Sequence, residues 1–179
     1  MRHRYQKRQP LTGLLVGAIS GLAATVIMTQ FQNAWNKISE RLHEPKTEAD
    51  EKQAKRQKED STMKMAGIIS QAIGRPLSRE DRKKAGPWVH YAFGTSVGAA
   101  FGLATEVEPN SLRGINPALT GVAYGTVVFL AAHEIAVPAL KLSSNPLKEP
   151  IPDQMAEFLS HLIYGIGTAL TYEGIKRLK

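Results

Sequence analysis

LTGLLVGAISGLAATVIMTQFQNAWN, residues 11–36, runs for 26 residues without an acidic or basic side chain. At about 1.5 Å per residue, such a stretch crosses the roughly 30 Å hydrocarbon layer of a bilayer as a single helix. Three further stretches, 87–107, 115–140 and 151–175, are each about the length of one membrane crossing, the last being the weakest because only residues 158–172 are free of formal charge. The mean hydropathy of −0.23 conceals them, because charge is concentrated between positions 37 and 86, where 13 Lys and Arg meet 9 Asp and Glu.

The pattern predicts an all-α integral membrane protein forming one domain over residues 1–179. Four transmembrane helices are expected at about 11–38, 87–107, 115–140 and 151–176, with a charged, helical extramembrane segment over 39–86. Within that segment Met65, Ile68, Ile69 and Ala72 recur at helical spacing, so residues 63–73 read as a short amphipathic helix that lies on the bilayer or covers the bundle. Gly74, Arg75 and Pro76 end it, and Ser78 with Asp81 has the form of a capping box. Pro87 suits the first turn of the second membrane helix.

A net charge of +7 and a pI near 9.7 raise the question of nucleic acid. The basic residues sit at segment ends and in one loop, without a nucleic-acid motif, so membrane topology explains them and no nucleic-acid partner is expected. With no cysteine there is neither disulfide nor thiolate chemistry. Arg2, Arg4, Lys7 and Arg8 precede the first apolar stretch as in a signal peptide, but that stretch exceeds an ordinary signal core and is read as a retained helix.

Small residues recur every fourth position in all four stretches. They are Gly13, Gly17 and Gly21, then Gly94, Gly98 and Gly102, then Gly121 and Gly125, and finally Gly165 with Ala169. In lipid, helices associate through close backbone approach rather than hydrophobic burial, so these GxxxG-type stripes predict a tightly packed four-helix bundle.

Extending the stripes brings histidines onto them. His90 lies one turn before Gly94, His133 two turns after Gly125 and His161 one turn before Gly165. In an up-and-down bundle all three fall at the face carrying the 37–86 loop. Glu157 precedes His161 by one turn, Glu134 adjoins His133, and Thr29, Gln30 and Asn33 come from the first helix.

Ionisable groups inside membrane spans are costly and mark functional candidates. Three chemistries remain open for His90, His133, Glu134, Glu157 and His161. His90, His133, His161 and Glu157 could bind a divalent transition metal such as zinc, with a haem as a minor variant. The same groups could take up protons near neutral pH. They could also hydrogen-bond between helices and fix the bundle's register. No catalytic residue is assigned: His133 and Glu134 lack the second histidine of HExxH, and there is no phosphate loop or nucleophile elbow. The expectation is a non-enzymatic accessory or stress-related protein with a proton-responsive layer, or alternatively a metal-binding or metal-transporting one.

WVHYAFG (residues 88–94), HEIAVP (133–138) and AEFLSHL (156–162) resemble the YagU-like family of small bacterial inner-membrane proteins. The likeness extends over about residues 87–179 and implies a bacterial cytoplasmic-membrane location, with His90, His133, Glu157 and His161 at matching positions. It implies no reaction. Partners beyond the lipid bilayer would be further copies of the chain or a larger membrane complex. The acid-free basic ends, Arg2 to Arg8 and Lys176 to Lys179, place both termini in the cytoplasm, although the basic loop opposes that assignment.

Overall fold

The computed structural model describes residues 9–42, 59–107, 115–142 and 151–178, and every regular element among them is helical. They are α1 (Pro10–Leu42), α2 (Ser61–Ala72), α3 (Arg79–Val107), α4 (Pro117–Val128) and α5 (Ile151–Arg177). A π-helical stretch, Phe129–Ala136, and a last α-turn, Val137–Ala139, continue α4. Two helices are long and apolar enough to cross a membrane, Pro10–Ser39 and Pro117–Ala139. In α3 and α5 the apolar run carries acidic and basic residues at its ends.

Two differences from the sequence reading concern α3. It begins eight residues before Pro87, because Ser78 caps it: the Asp81 N–H donates to Ser78 Oγ (3.2 Å) and the Ser78 hydroxyl donates to Asp81 Oδ2 (2.7 Å). Pro87 is therefore inside the helix, where its missing N–H removes one backbone bond without ending the element. The charged 39–86 region is correspondingly divided among the end of α1, α2 and the start of α3, and residues 43–58 lie outside the described residues.

The amphipathic helix forms but turns differently. Met63, Ala66, Gly67 and Ser70 face α3, while Ile68 and Ile69 remain exposed. Close approach decides this: a Cβ on Gly67 would lie 2.8 Å from Arg82 Cδ, and one on Gly86 would lie 3.2 Å from Met63 Cγ. Asp60 starts α2 by accepting from the Met63 N–H (2.7 Å) and the Thr62 hydroxyl (2.8 Å). Gly74, at φ +72°, reverses the chain after it, a left-handed conformation that glycine adopts without strain. Asp60→Ala should cost α2 about 1 kcal/mol, raising its amide exchange roughly fivefold while α1 exchange stays unchanged. Hydrogen exchange resolved by segment measures both.

Two glycine-lined contacts organise the rest. On α1 and α3 a Cβ at Gly13 would sit 2.5 Å from the Gly102 carbonyl oxygen, one at Gly17 2.8 Å from the Gly102 Cα, and one at Gly21 2.7 Å from the Gly98 Cα. Numbers rise on one helix as they fall on the other, so the pair is antiparallel. On α4 and α5 a Cβ at Gly121 would lie 2.5 Å from Ile166 Cα, and one at Gly165 2.7 Å from Gly125 Cα. This pair too is antiparallel, with Gly125 against the backbone of His161 and Leu162.

Joining the pairs, α5 packs along α1, where Gly167 meets Ala24. Aromatic side chains fill the remaining space. Phe101 of α3 packs against Tyr124 of α4 with the rings tilted by 54° (4.8 Å between centroids) and stands edge-on to Tyr172 of α5 (5.7 Å). The buried residues form two layers, Val16, Phe101, Ala169 and Tyr172 in one, and Ala24, Met28, Val128 and Tyr164 in the other. Ala169 thus joins an apolar layer, whereas Gly165, one turn earlier on the same stripe, takes the contact with α4.

Candidate functional site

A ladder of hydroxyls on α5 runs between the two ends of the bundle. Ser160, Tyr164, Thr168 and Tyr172 are all buried and four residues apart, so they share one face. Ser160 and Thr168 donate to carbonyls of their own helix, those of Ala156 (2.7 Å) and Tyr164 (2.8 Å). Tyr164 reaches across to donate to the Gly94 carbonyl (2.6 Å), and Tyr172 lies 3.5 Å from the Gly102 carbonyl. A constant offset between the partners makes α3 and α5 parallel. On α1, Ser20 and Thr25 are likewise buried and bonded back to Val16 (2.8 Å) and Gly21 (2.7 Å). Tyr124 of α4 donates to the Val97 carbonyl (2.7 Å). The serine and threonine hydroxyls are satisfied within their own helices, whereas Tyr164, Tyr124 and Tyr172 reach across to another helix and so fix the register between helices.

At the end where α1 finishes and α3 and α5 begin lie the residues singled out from sequence. His161 brings Nδ1 to 2.8 Å from the Glu157 carbonyl oxygen, and its ring stands edge-on to Phe129 at 5.5 Å. Phe129 opens the π-helical stretch and also packs on Phe158 at 5.2 Å. The Glu157 carboxylate accepts from Gln32 Nε2 at 3.5 Å. From α1 the contact therefore comes through Gln32, one turn beyond buried Met28. Thr29 bonds back to the Thr25 carbonyl (2.8 Å), while Gln30 and Asn33 are exposed. Those three do not reach the layer through any contact described, because the inward stripe passes through Met28 and Gln32.

The α3–α5 register puts His90 one turn beyond the Tyr164–Gly94 bond, level with His161. Its Nε2 is buried and has no hydrogen-bond partner among the described residues. Its ring stands edge-on to that of Tyr91 at 6.1 Å, and Asp60, at the start of α2, acts on it electrostatically. The side chain of His133 lies outside the described residues, and Glu134 is half-buried on the π-helical stretch. Among the described residues no three His, Asp or Glu side chains assemble in a geometry able to hold a metal ion.

The other end of the bundle carries a site the sequence reading passed over. Glu106, 7% exposed, is ion-paired with Lys176, accepts from the Tyr172 hydroxyl (3.0 Å) and accepts from the Gln9 backbone N–H (3.2 Å). One carboxylate thus ties the start of α1 and the ends of α3 and α5. A Cβ on Gly13 would collide with its Cγ, so the glycine stripe also makes room for this side chain. The available signal was a single acidic residue at the end of an apolar run, with Tyr172 and Lys176 four apart on the last helix.

No curated protein and no solved structure matches the chain. One family model does, described as a protein of unknown function, and it spans residues 39–170, which include α2 to α4, both glycine contacts on the α3, α4 and α5 side, and His90, Glu106, Glu157 and His161. With most of its length covered by that match, the chain belongs to the DUF1440 family.

Proposed function

We propose that this chain is a non-enzymatic, multi-pass protein of the bacterial cytoplasmic membrane, in which α1, α3, the α4 stretch and α5 cross the bilayer as a GxxxG-packed bundle. The observation that carries the reading is the apolar outer surface. Leu11, Leu15, Ile19, Leu22 and Val26 on α1 and Leu119, Val127, Leu130 and Ile135 along the α4 stretch are all exposed. Only 12% of the α4 span is buried, whereas the core helix of a soluble protein is mostly buried. Two glycine-lined contacts with backbone against backbone are the packing mode that helices use in lipid. The resemblance to YagU-like proteins supports the bacterial inner membrane, and the basic ends support cytoplasmic termini.

Within this bundle the His90, His161, Glu157 and Gln32 end is a polar layer that responds to protons. His90, whose buried ring nitrogen has no hydrogen-bond partner among the described residues, and His161, whose Nδ1 meets the Glu157 carbonyl oxygen, are the side chains through which this layer takes up protons. The charged groups of this end are Asp60, which acts on His90, Glu157 one turn before His161, Glu134 on the π-helical stretch, and the Glu59, Arg79 and Arg82 cluster joining α2 to α3. Its role is that of an accessory or stress-related component, acting alone, as several copies or in a larger membrane complex.

The test compares the native protein, purified in detergent without chelator, with a His90, His133 and His161 to Ala triple variant. Thermal melting of the native protein should change between pH 5 and pH 8, and the variant should lose most of that dependence. A flat profile in both proteins overturns the proton-responsive layer. Stoichiometric metal or a haem absorption band in the native protein, absent from a folded variant, would replace it with the metal-binding reading through His90, His133, His161 and Glu157. Recovery of the protein in the aqueous supernatant after membrane flotation overturns the membrane assignment itself.

A further inference from the structure

We infer that the outward face of α3 around Lys83, Lys84 and Trp88 is a seat for an anionic phospholipid, a conclusion that rests on the membrane assignment above. Trp88 is 77% exposed, an unusual position for the largest side chain in the repertoire. It lies one turn after Lys84 on the same helical face. Further along α3, Phe93 and Leu103 are exposed apolar surface, and in the opposite direction Lys83 and Lys84 are exposed cations.

Neither lysine has an ion-pair partner among the described residues. Arg79 and Arg82 are both engaged by Glu59, at 3.4 and 3.1 Å. Asp81 is engaged by the Ser78 hydroxyl. Glu80 is four residues before Lys84, yet no ion pair forms between them among the described residues. On α1, Lys37 and Arg41 are exposed beyond the apolar stretch and add charge of the same sign at this end.

A partner for this face must be apolar at Trp88 and anionic about one helical turn, roughly 5 Å, away at Lys84. A phospholipid has that profile, with acyl chains against the indole ring and a phosphate at the lysine end. Tryptophan at the boundary of a span and lysine at its rim are the residue types that lipid interfaces favour. Each lysine held against an anionic lipid surface strengthens association roughly fivefold, whichever leaflet supplies the lipid. The seat would fix the depth of α3 and hence the level of His90, two residues further on.

Trp88 supplies its own reporter, since the chain has two tryptophans and Trp35→Phe leaves one. That variant is reconstituted into phosphatidylcholine vesicles containing phosphatidylglycerol, with brominated chains on either one lipid or the other at equal mole fraction. Brominated phosphatidylglycerol should quench Trp88 about twofold more than brominated phosphatidylcholine. Adding Lys83→Gln and Lys84→Gln should remove the difference without changing the circular-dichroism melt. Equal quenching by the two lipids overturns the seat while leaving the membrane assignment intact. Absence of quenching by either, in protein that floats with the vesicles, overturns it as well and shows Trp88 covered by protein. Failure of the protein to float with vesicles at all is the separate failure of the membrane assignment.

Discussion

Gly98→Ala should lower the stability of the bundle by about 3 kcal/mol, and Gly98→Leu should prevent its assembly. The reason lies in what surrounds the missing Cβ. At Gly98 it would meet the Gly17 carbonyl oxygen at 2.5 Å and the Gly21 backbone nitrogen at 2.7 Å. Those neighbours are main chain, so no change of rotamer relieves the overlap, and α1 and α3 must move apart along their whole contact. Separation would also stretch the Tyr164 bond to Gly94 and the Glu106 bond to Gln9. Gly174, on α5, has nothing within 4 Å of its Cβ position. Gly174→Ala should therefore gain helix propensity, about 0.5–1 kcal/mol. Denaturant titration in detergent, followed by circular dichroism, compares the two. Equal behaviour of Gly98→Ala and Gly174→Ala would show that the α1–α3 contact does not hold the fold.

The second large effect is expected at Glu106. With its carboxylate removed by Glu106→Ala, the Lys176 ammonium loses its counter-charge, Tyr172 loses its acceptor, and the Gln9 N–H is left to water. Breaking one side of a buried pair costs about 3–5 kcal/mol, and Lys176, whose side chain keeps 23% of its surface exposed, can recover part of its hydration, which brings the expectation to about 2–3 kcal/mol. Lys176→Met in the Glu106→Ala background should restore at least half of the loss, because the orphaned cation is then gone. A double-mutant cycle with equal and additive single effects would show that the pair is not coupled.

The helices were legible where composition alone defines them. The 26 uncharged residues of 11–36 and the glycine spacing locate α1 and the faces it buries, and the Ser78 and Asp81 pair marks the true start of α3. Partner choice was not legible, since a stripe of glycines states that something approaches closely without stating what. Nor does a four-residue period distinguish Met28 and Gln32 from Thr29 and Gln30, because a rotation of 100° per residue separates buried from exposed. The Glu106 site was hidden for a related reason. Its three partners come from positions 9, 172 and 176, and only the parallel arrangement of α3 and α5 brings them together.

The antiparallel α1–α3 contact has a consequence for synthesis. The α1 glycines leave the ribosome well before the α3 glycines that cover them, with all of α2 translated in between, an interval of several seconds at roughly 5–20 residues per second. During that interval the groove on α1 is uncovered; the facing α4 and α5 glycines, Gly125 and Gly165, are 40 residues apart against 81 for Gly17 and Gly98, so their wait is about half as long. The first helix thus waits longest for the helix that covers it, and lengthening the α1–α3 connection should slow maturation more than lengthening the one between α4 and α5.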